Sequence, residues 1–231
     1  MIDPDRLKDA LAEARERLDE ATVASGRPPG SVEIVVAGKY VAAEDAPALV
    51  AAGVRVVGEN RLQDLMAKRA AVGDALTFDF IGHLQRRKVR SVLSEVRLIH
   101  SLDSVALARE IAARAEGPTR VLVEVNVGGE NTKPGIVPAD LHAFVQEISG
   151  LSALVLGGLM GMPPPQSDPE RSRPYFAALR TMLDDLAADW SGRHDFRDLS
   201  MGTSQDYLVA AREGATIVRV GRGVIDRARM S

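Results

Sequence analysis

No cysteine occurs in the 231 residues of the chain. Disulfides, thiolate nucleophiles and cysteine-ligated metals are thereby excluded, and the composition fits a reducing compartment. Basic charge is not in surplus either. The formal net charge is -3, without the basic footprint that a nucleic-acid partner leaves. The four histidines, His83, His100, His142 and His194, include no pair at metal-ligand spacing. Charges break the apolar stretches well short of a membrane span. The opening Met1-Ile2-Asp3-Pro4-Asp5-Arg6-Leu7-Lys8 lacks the apolar run of a secretory signal. These absences give the expectation of a cytoplasmic protein with no nucleic-acid and no membrane partner.

What is present is ordinary for a globular protein: 45% hydrophobic and 26% charged residues. The length suits one barrel-sized unit with a large core. Neither a linker nor a low-complexity tract divides residues 1–231, which read as a single domain. Asp3-Pro4 supplies a cap and a first-turn proline for a helix, whose apolar face is Leu7, Leu11, Ala14 and Leu18. Gly26-Arg27-Pro28-Pro29-Gly30 stops it.

A βα rhythm then begins. The candidate strands are Glu33–Gly38, Val54–Gly58, Phe78–Gly82, Arg97–Ser101, Arg120–Asn126, Leu154–Leu159, Asp198–Met201 and Thr216–Gly221. Helix candidates between them are Ala43–Ala52, Asn60–Val72, Ser104–Ala115, Pro138–Ile148, Pro169–Ala188 and Gln205–Glu213, with Gln85–Leu93 the weakest. Strands alternating with helices imply parallel pairing, and continuous apolar runs such as Ile34-Val35-Val36-Ala37 suit a sheet covered on both faces. Eight such units predict an α/β fold, a (β/α)8 TIM-type barrel with an extra N-terminal helix. An open parallel sheet is the alternative, because the seventh strand is short and polar.

In such a barrel the functional groups sit where strands end. There the sequence places Lys39, Asn60, His83, Asn126 with Gly128-Gly129-Glu130-Asn131-Thr132-Lys133, Met160, Ser200 to Ser204, Arg219 and Gly221-Arg222-Gly223. Lys39 follows an apolar strand directly. Desolvation there would leave a neutral amine able to attack an aldehyde, whereas the structural alternative is a lysine snorkelling to solvent. The glycine-bearing loops after strands seven and eight, with the hydroxyls of Ser200, Thr203 and Ser204, form a phosphate-site candidate. Ser204 could equally cap the helix near Gln205. Barrel closure sets Arg219 on the strand beside Lys39, although Arg219 could instead pair with Glu33, Glu59 or Glu124. A lysine, an arginine and a phosphate anchor on one rim suit pyridoxal 5′-phosphate (PLP). His100 and His142 read as structural.

At these residues the chain resembles the pyridoxal phosphate homeostasis protein family, single-domain relatives of the alanine racemase N-terminal barrel. The matching segments run in order along nearly the whole sequence: Val36-Ala37-Gly38-Lys39, Gly58-Glu59-Asn60, Phe80-Ile81-Gly82-His83-Leu84-Gln85, Ile99-His100-Ser101-Leu102-Asp103, Val125-Asn126-Val127, Lys133-Pro134-Gly135-Ile136, Gly158-Leu159-Met160, Leu199-Ser200-Met201-Gly202 and Val218-Arg219-Val220-Gly221. The resemblance implies a PLP Schiff base on Lys39, phosphate contacts from Ser200, Gly202, Ser204, Gly221 and Arg222, and Arg219 facing the pyridine nitrogen. Asn60 joins this cofactor set; His83, Asn126, Lys133 and Met160 are accessory candidates.

The chain departs from the family where Gly38 replaces a usual Ser or Thr, Ala42 a Pro, Arg87 an Asn and Arg222 a small residue, and in the tail Val224-Ile225-Asp226. The family is thought to buffer and deliver PLP, which implies PLP-dependent apoenzymes as recipients. An arginine beside the pyridine nitrogen weakens the electron sink that PLP catalysis uses. The expectation is that no second domain supplies another base. The expectation is a carrier with little or no catalysis; the alternative is a weak PLP-dependent amino-acid racemase.

Overall fold

The computed structural model describes residues 1–130 and 133–230. Asn131 and Thr132, part of the loop expected after the fifth strand, and Ser231 lie outside the described residues. Among the described residues, eight parallel strands close into a barrel in sequence order. They are β1 Glu33–Ala37, β2 Val56–Glu59, β3 Thr77–Phe80, β4 Leu98–Leu102, β5 Thr119–Val125, β6 Leu154–Gly161, β7 Asp198–Thr203 and β8 Ile217–Val220. Closure is made by β1 on β8, with Val35 opposite Arg219. The open-sheet alternative is therefore overturned: the short polar segment at Asp198 is a full barrel strand that reaches Thr203.

Helix α1, Pro4–Ala24, starts where expected. Asp3 accepts hydrogen bonds from the amides of Asp5 and Arg6 at 3.0 and 3.1 Å, and Leu7, Ala10, Ala14 and Leu18 form its buried stripe. The outer ring is α2 Ala46–Ala51, α3 Leu62–Val72, α4 Val89–Leu93, α5 Val105–Arg114, α6 Leu141–Ile148, α7 Arg173–Asp189 and α8 Tyr207–Arg212. Several are shorter than their sequence pattern, because tight 3₁₀ turns take their first residues, as at Ala43–Asp45 and Pro169–Ser172. The tail, for which the sequence offered no element, is a helix, α9 Arg222–Ala228, burying Val224, Ile225 and Ala228. It joins α1 through a hydrogen bond from the Asp3 amide to the Ala228 carbonyl at 2.9 Å.

Strand alternation sorts the core into two regions. Outward residues such as Val36, Val57, Phe78, Ile99, Val123 and Leu156 pack under the helices. A smaller cluster inside the barrel holds Val35, Val56, Leu98, Leu122, Met160 and Ile217. Charged and polar side chains occupy other interior positions: Asp79, His100, Ser200 and Arg219 are all buried. Such groups persist inside only when partnered, and their partners define the site.

Register shifts mark three places where the barrel bends, one between β5 and β6, one between β4 and β5 and one between β7 and β8. At the first, Gly158 has φ 151°, and a Cβ there would lie 1.9 Å from the Asp198 carbonyl oxygen. Gly158→Ala should therefore cost about 3 kcal/mol or more, while Gly150→Ala, facing open space, should be nearly neutral. Denaturant unfolding of both variants checks this.

Candidate functional site

Lys39 lies in the turn Gly38–Tyr40 immediately after β1. It is exposed, so the desolvation expected from its strand-end position is absent. The amine has no hydrogen-bond or ion-pair partner among the described residues; its nearest feature is the Tyr40 ring, 5.1 Å from Nζ. Arg222 lies over the same ring at 5.8 Å. Tyr40 also abuts Gly221, where a Cβ would come within 2.6 Å of the ring. The ends of β1 and β8 thus meet around one aromatic side chain.

Ser204 does not cap the helix near Gln205. Its Oγ accepts from the amides of Gly221 and Gly223 at 2.9 and 3.3 Å, tying the loop after β7 to the start of α9. Asp206 is the N-cap residue of α8, and its carboxylate accepts from the Thr203 amide at 2.7 Å. Gly202 has φ 88° at the β7 irregularity, with a would-be Cβ 2.6 Å from Ala210 Cβ, so no larger residue fits that turn.

Arg219 forms none of the ion pairs weighed for it. Its Nη1 donates to the Ser200 carbonyl at 3.0 Å and Oγ at 2.7 Å, and Nη2 donates to the Gly161 carbonyl at 3.1 Å. Those three bonds leave two of the five guanidinium N–H donors without a partner among the described residues. Burial pulls its pKa down to about 10, against the opposing pull of Glu124 and Asp206; it remains a cation at neutral pH.

Asn60 follows β2, and its Oδ1 is buried without a hydrogen-bond partner. Next to it, fully buried Glu59 pairs with Lys68 at 2.9 Å. Burial raises the Glu59 pKa against the lowering effect of Lys68. A Cβ on Gly38 would fall 1.9 Å from Glu59 Oε1; the glycine leaves room for that carboxylate where the family usually carries a hydroxyl side chain.

The accessory candidates scatter. His83 is exposed and bonded to Asp103 at 2.9 Å. Asn126 is buried, and its amide donates to the Glu130 carbonyl at 2.8 Å. Lys133 pairs with Glu130 at 3.1 Å. Met160 belongs to the interior apolar layer. His142 is a surface residue 3.4 Å from Asp189. Two residues went unremarked as site members from sequence: Tyr40, and Glu124, whose pKa is raised to about 7 by burial and the nearby Asp103 charge. Strand alternation from Leu122 would have placed Glu124 inside the barrel.

A cavity of about 1160 Å³ opens at the other mouth, lined by Glu33, Arg55, Arg97, Arg120, Asp198 and neighbours. It contains none of the candidate residues. Two of its arginines pair with carboxylates there, Arg97 with Glu33 and Arg120 with Asp198, each at 2.8 Å. In barrels generally this mouth contributes stability, and it lies opposite the rim that carries Lys39.

Fold and site together define a lysine-bearing (β/α)8 barrel whose β7 and β8 loops face the lysine. The profile of the family "Alanine racemase, N-terminal domain" matches residues 35–225. The pyridoxal phosphate homeostasis protein of Aquifex aeolicus is 40% identical, over 91% of this chain and 93% of its own; that of Pseudomonas aeruginosa is 35% identical, over 91% of each. PipY of Synechococcus elongatus, solved with PLP bound, is 31% identical and superposes with a TM-score of 0.82, covering 95% of this chain and 99% of its own. The chain belongs to the pyridoxal phosphate homeostasis protein family, within the alanine racemase N-terminal domain family.

Glu124 yields a pH prediction for the ligand-free protein. Its folded pKa exceeds the ordinary glutamate value of 4.5, so the folded state binds more protons between that value and about 7, and stability falls as pH rises through this window. Glu124→Gln removes the carboxylate. It should stabilise the protein by about 2 kcal/mol above neutrality and change little in mild acid, as read by thermal melting at both pH values.

Proposed function

We propose that this protein holds PLP covalently through Lys39 and serves intracellular PLP homeostasis as a reversible carrier. The observation that carries the reading is the pairing of an exposed, unpartnered lysine with a buried arginine whose spare donors have no protein acceptor. The residues present fit such a ligand. Lys39 offers a free amine to an aldehyde. Arg219 offers N–H donors that suit an unprotonated pyridine nitrogen and disfavour a protonated one. Asn60 Oδ1 is a buried acceptor in need of a partner. The loops joined by Ser204 offer backbone amides and hydroxyls to a phosphate, and Arg222, on the same ring as Lys39, adds a cation that supports rather than blocks that end.

PLP supplies an electrophilic aldehyde and, when its ring nitrogen is protonated, a strong electron sink. The cationic Arg219 opposes that protonation, which favours storage over turnover. PipY solved with PLP bound and the names of the relatives support the same reading. Residues 1–231 acting as one barrel unit, a cytoplasmic location, PLP-dependent apoenzymes as recipients and the absence of nucleic-acid and membrane partners complete the proposal. Among the described residues no helix is long and apolar enough to cross a membrane.

Purified protein mixed with PLP should develop a long-wavelength absorption band, and borohydride reduction followed by peptide mapping should place the adduct on Lys39. Lys39→Ala should abolish both signals. A band retained in that variant, or an adduct on another lysine, removes the proposal. A second prediction concerns the loop anchored by Asn126: Lys133→Ala should slow PLP loading or release while leaving Lys39 modifiable. Unchanged rates in both directions would exclude Lys133 from the site.

A further inference from the structure

A line of polar side chains runs through the barrel interior. From the mouth opposite Lys39, Glu33 binds Arg97, and Arg97 donates to both carboxylate oxygens of Asp79 at 3.1 and 2.8 Å. Asp79 Oδ2 lies 3.1 Å from His100 Nε2. His100 Nδ1 lies 2.9 Å from Ser200 Oγ, and Ser200 Oγ lies 2.7 Å from Arg219 Nη1. Asp79, His100 and Ser200 are all 0% exposed.

The donors in this line admit one assignment. Asp79 is a carboxylate: burial acts to raise its pKa, but the hydrogen bonds from His100 and Arg97 outweigh it and hold the group low. Ionised, it only accepts, so His100 Nε2 must carry the proton. Burial keeps the imidazole neutral, so Nδ1 is an acceptor and the Ser200 hydroxyl must donate to it. That fixes the rotor of Ser200 with a lone pair toward Arg219, which donates.

We propose that His100, held by Asp79 in its Nε2–H tautomer, is a positioning residue that acts through the Ser200 hydroxyl to aim Arg219 at the ligand bound on Lys39. The inference rests on the PLP reading for its ligand, but the tautomer and the donor order belong to the ligand-free protein. If the Ser200 hydroxyl rotated toward Arg219, a donor would face a donor, and the guanidinium would turn away from the ring position. Asp79 therefore acts at a distance: its charge selects the tautomer, and the tautomer selects the direction in which Arg219 donates.

Two substitutions at one position separate the halves of this line. His100→Asn keeps an acceptor near the Nδ1 position and loses the donor to Asp79. His100→Gln keeps a donor near Nε2 and loses the acceptor for Ser200. Both put a smaller amide in the same buried space, so their stability losses should be similar. In PLP-free protein, side-chain nitrogen NMR at neutral pH should show His100 neutral and protonated on Nε2. The guanidinium signals of Arg219 should stay near their native positions in His100→Asn and shift in His100→Gln. With PLP, His100→Gln should weaken binding roughly tenfold and alter the spectrum of the bound ring, while His100→Asn stays within a few-fold. A charged or Nδ1-protonated His100 would overturn the proposal, as would equal behaviour of the two variants in the Arg219 signals. If the native protein fails to take up PLP, the functional reading fails, and the ligand-free signals still decide the positioning claim.

Discussion

The pairing of β1 with β8 is the contact on which the site depends. It closes the barrel, and through the register of Val35 with Arg219 it sets the strand ending at Lys39 beside the strand carrying the arginine. Residues 39 and 219 are far apart in sequence, and parallel pairing at the closure is what sets their strands side by side. The same closure brings Tyr40 against Gly221, so the rim is sealed by one ring shared between the first and last strands.

Interior polarity is the second constraint. A barrel of this size fills its centre with side chains, and here that filling is divided between an apolar layer around Leu122 and Met160 and the polar line from Asp79 to Arg219. Each polar group in the line is stabilised by the next, and at the Lys39 end Arg219, Asn60 and Glu124 keep donors or acceptors unpaired among the described residues. At the opposite mouth Arg97 pairs with Glu33 and Asp79, and Arg120 with Asp198. Those carboxylates are paired, whereas buried groups at the Lys39 end keep free donors and acceptors. That asymmetry is the physical basis for assigning the ligand face.

Much of this was legible in the sequence. The strands and most helices follow from alternation of apolar runs with amphipathic stretches, and the N-cap at Asp3 from its proline and acidic neighbours. Lys39, Arg219 and the two glycine-bearing loops stood out because strand ends in a barrel are functional by position. Partnerships were not legible. Ser204 has a helix after it in sequence, so capping that helix was the local reading, yet its hydroxyl binds amides of the β8 loop, a contact that only barrel closure creates. His100 carried no local signal, since its partners Asp79 and Ser200 lie on two other strands. α9 was missed because Gly221-Arg222-Gly223 reads as a loop, and its apolar face becomes visible only once α1 is known to cover it. Gly38, a departure from the family pattern, abuts the buried Glu59 carboxylate, but that residue is shared with the family and does not account for the glycine.

Crystals grown with PLP test most directly whether closure builds one ligand site from the first and last strands. Continuous density from Lys39 Nζ into the ligand, with the ring nitrogen within hydrogen-bonding distance of Arg219, is the result expected. A ligand attached elsewhere, or a ring nitrogen turned away from that guanidinium, would contradict the account.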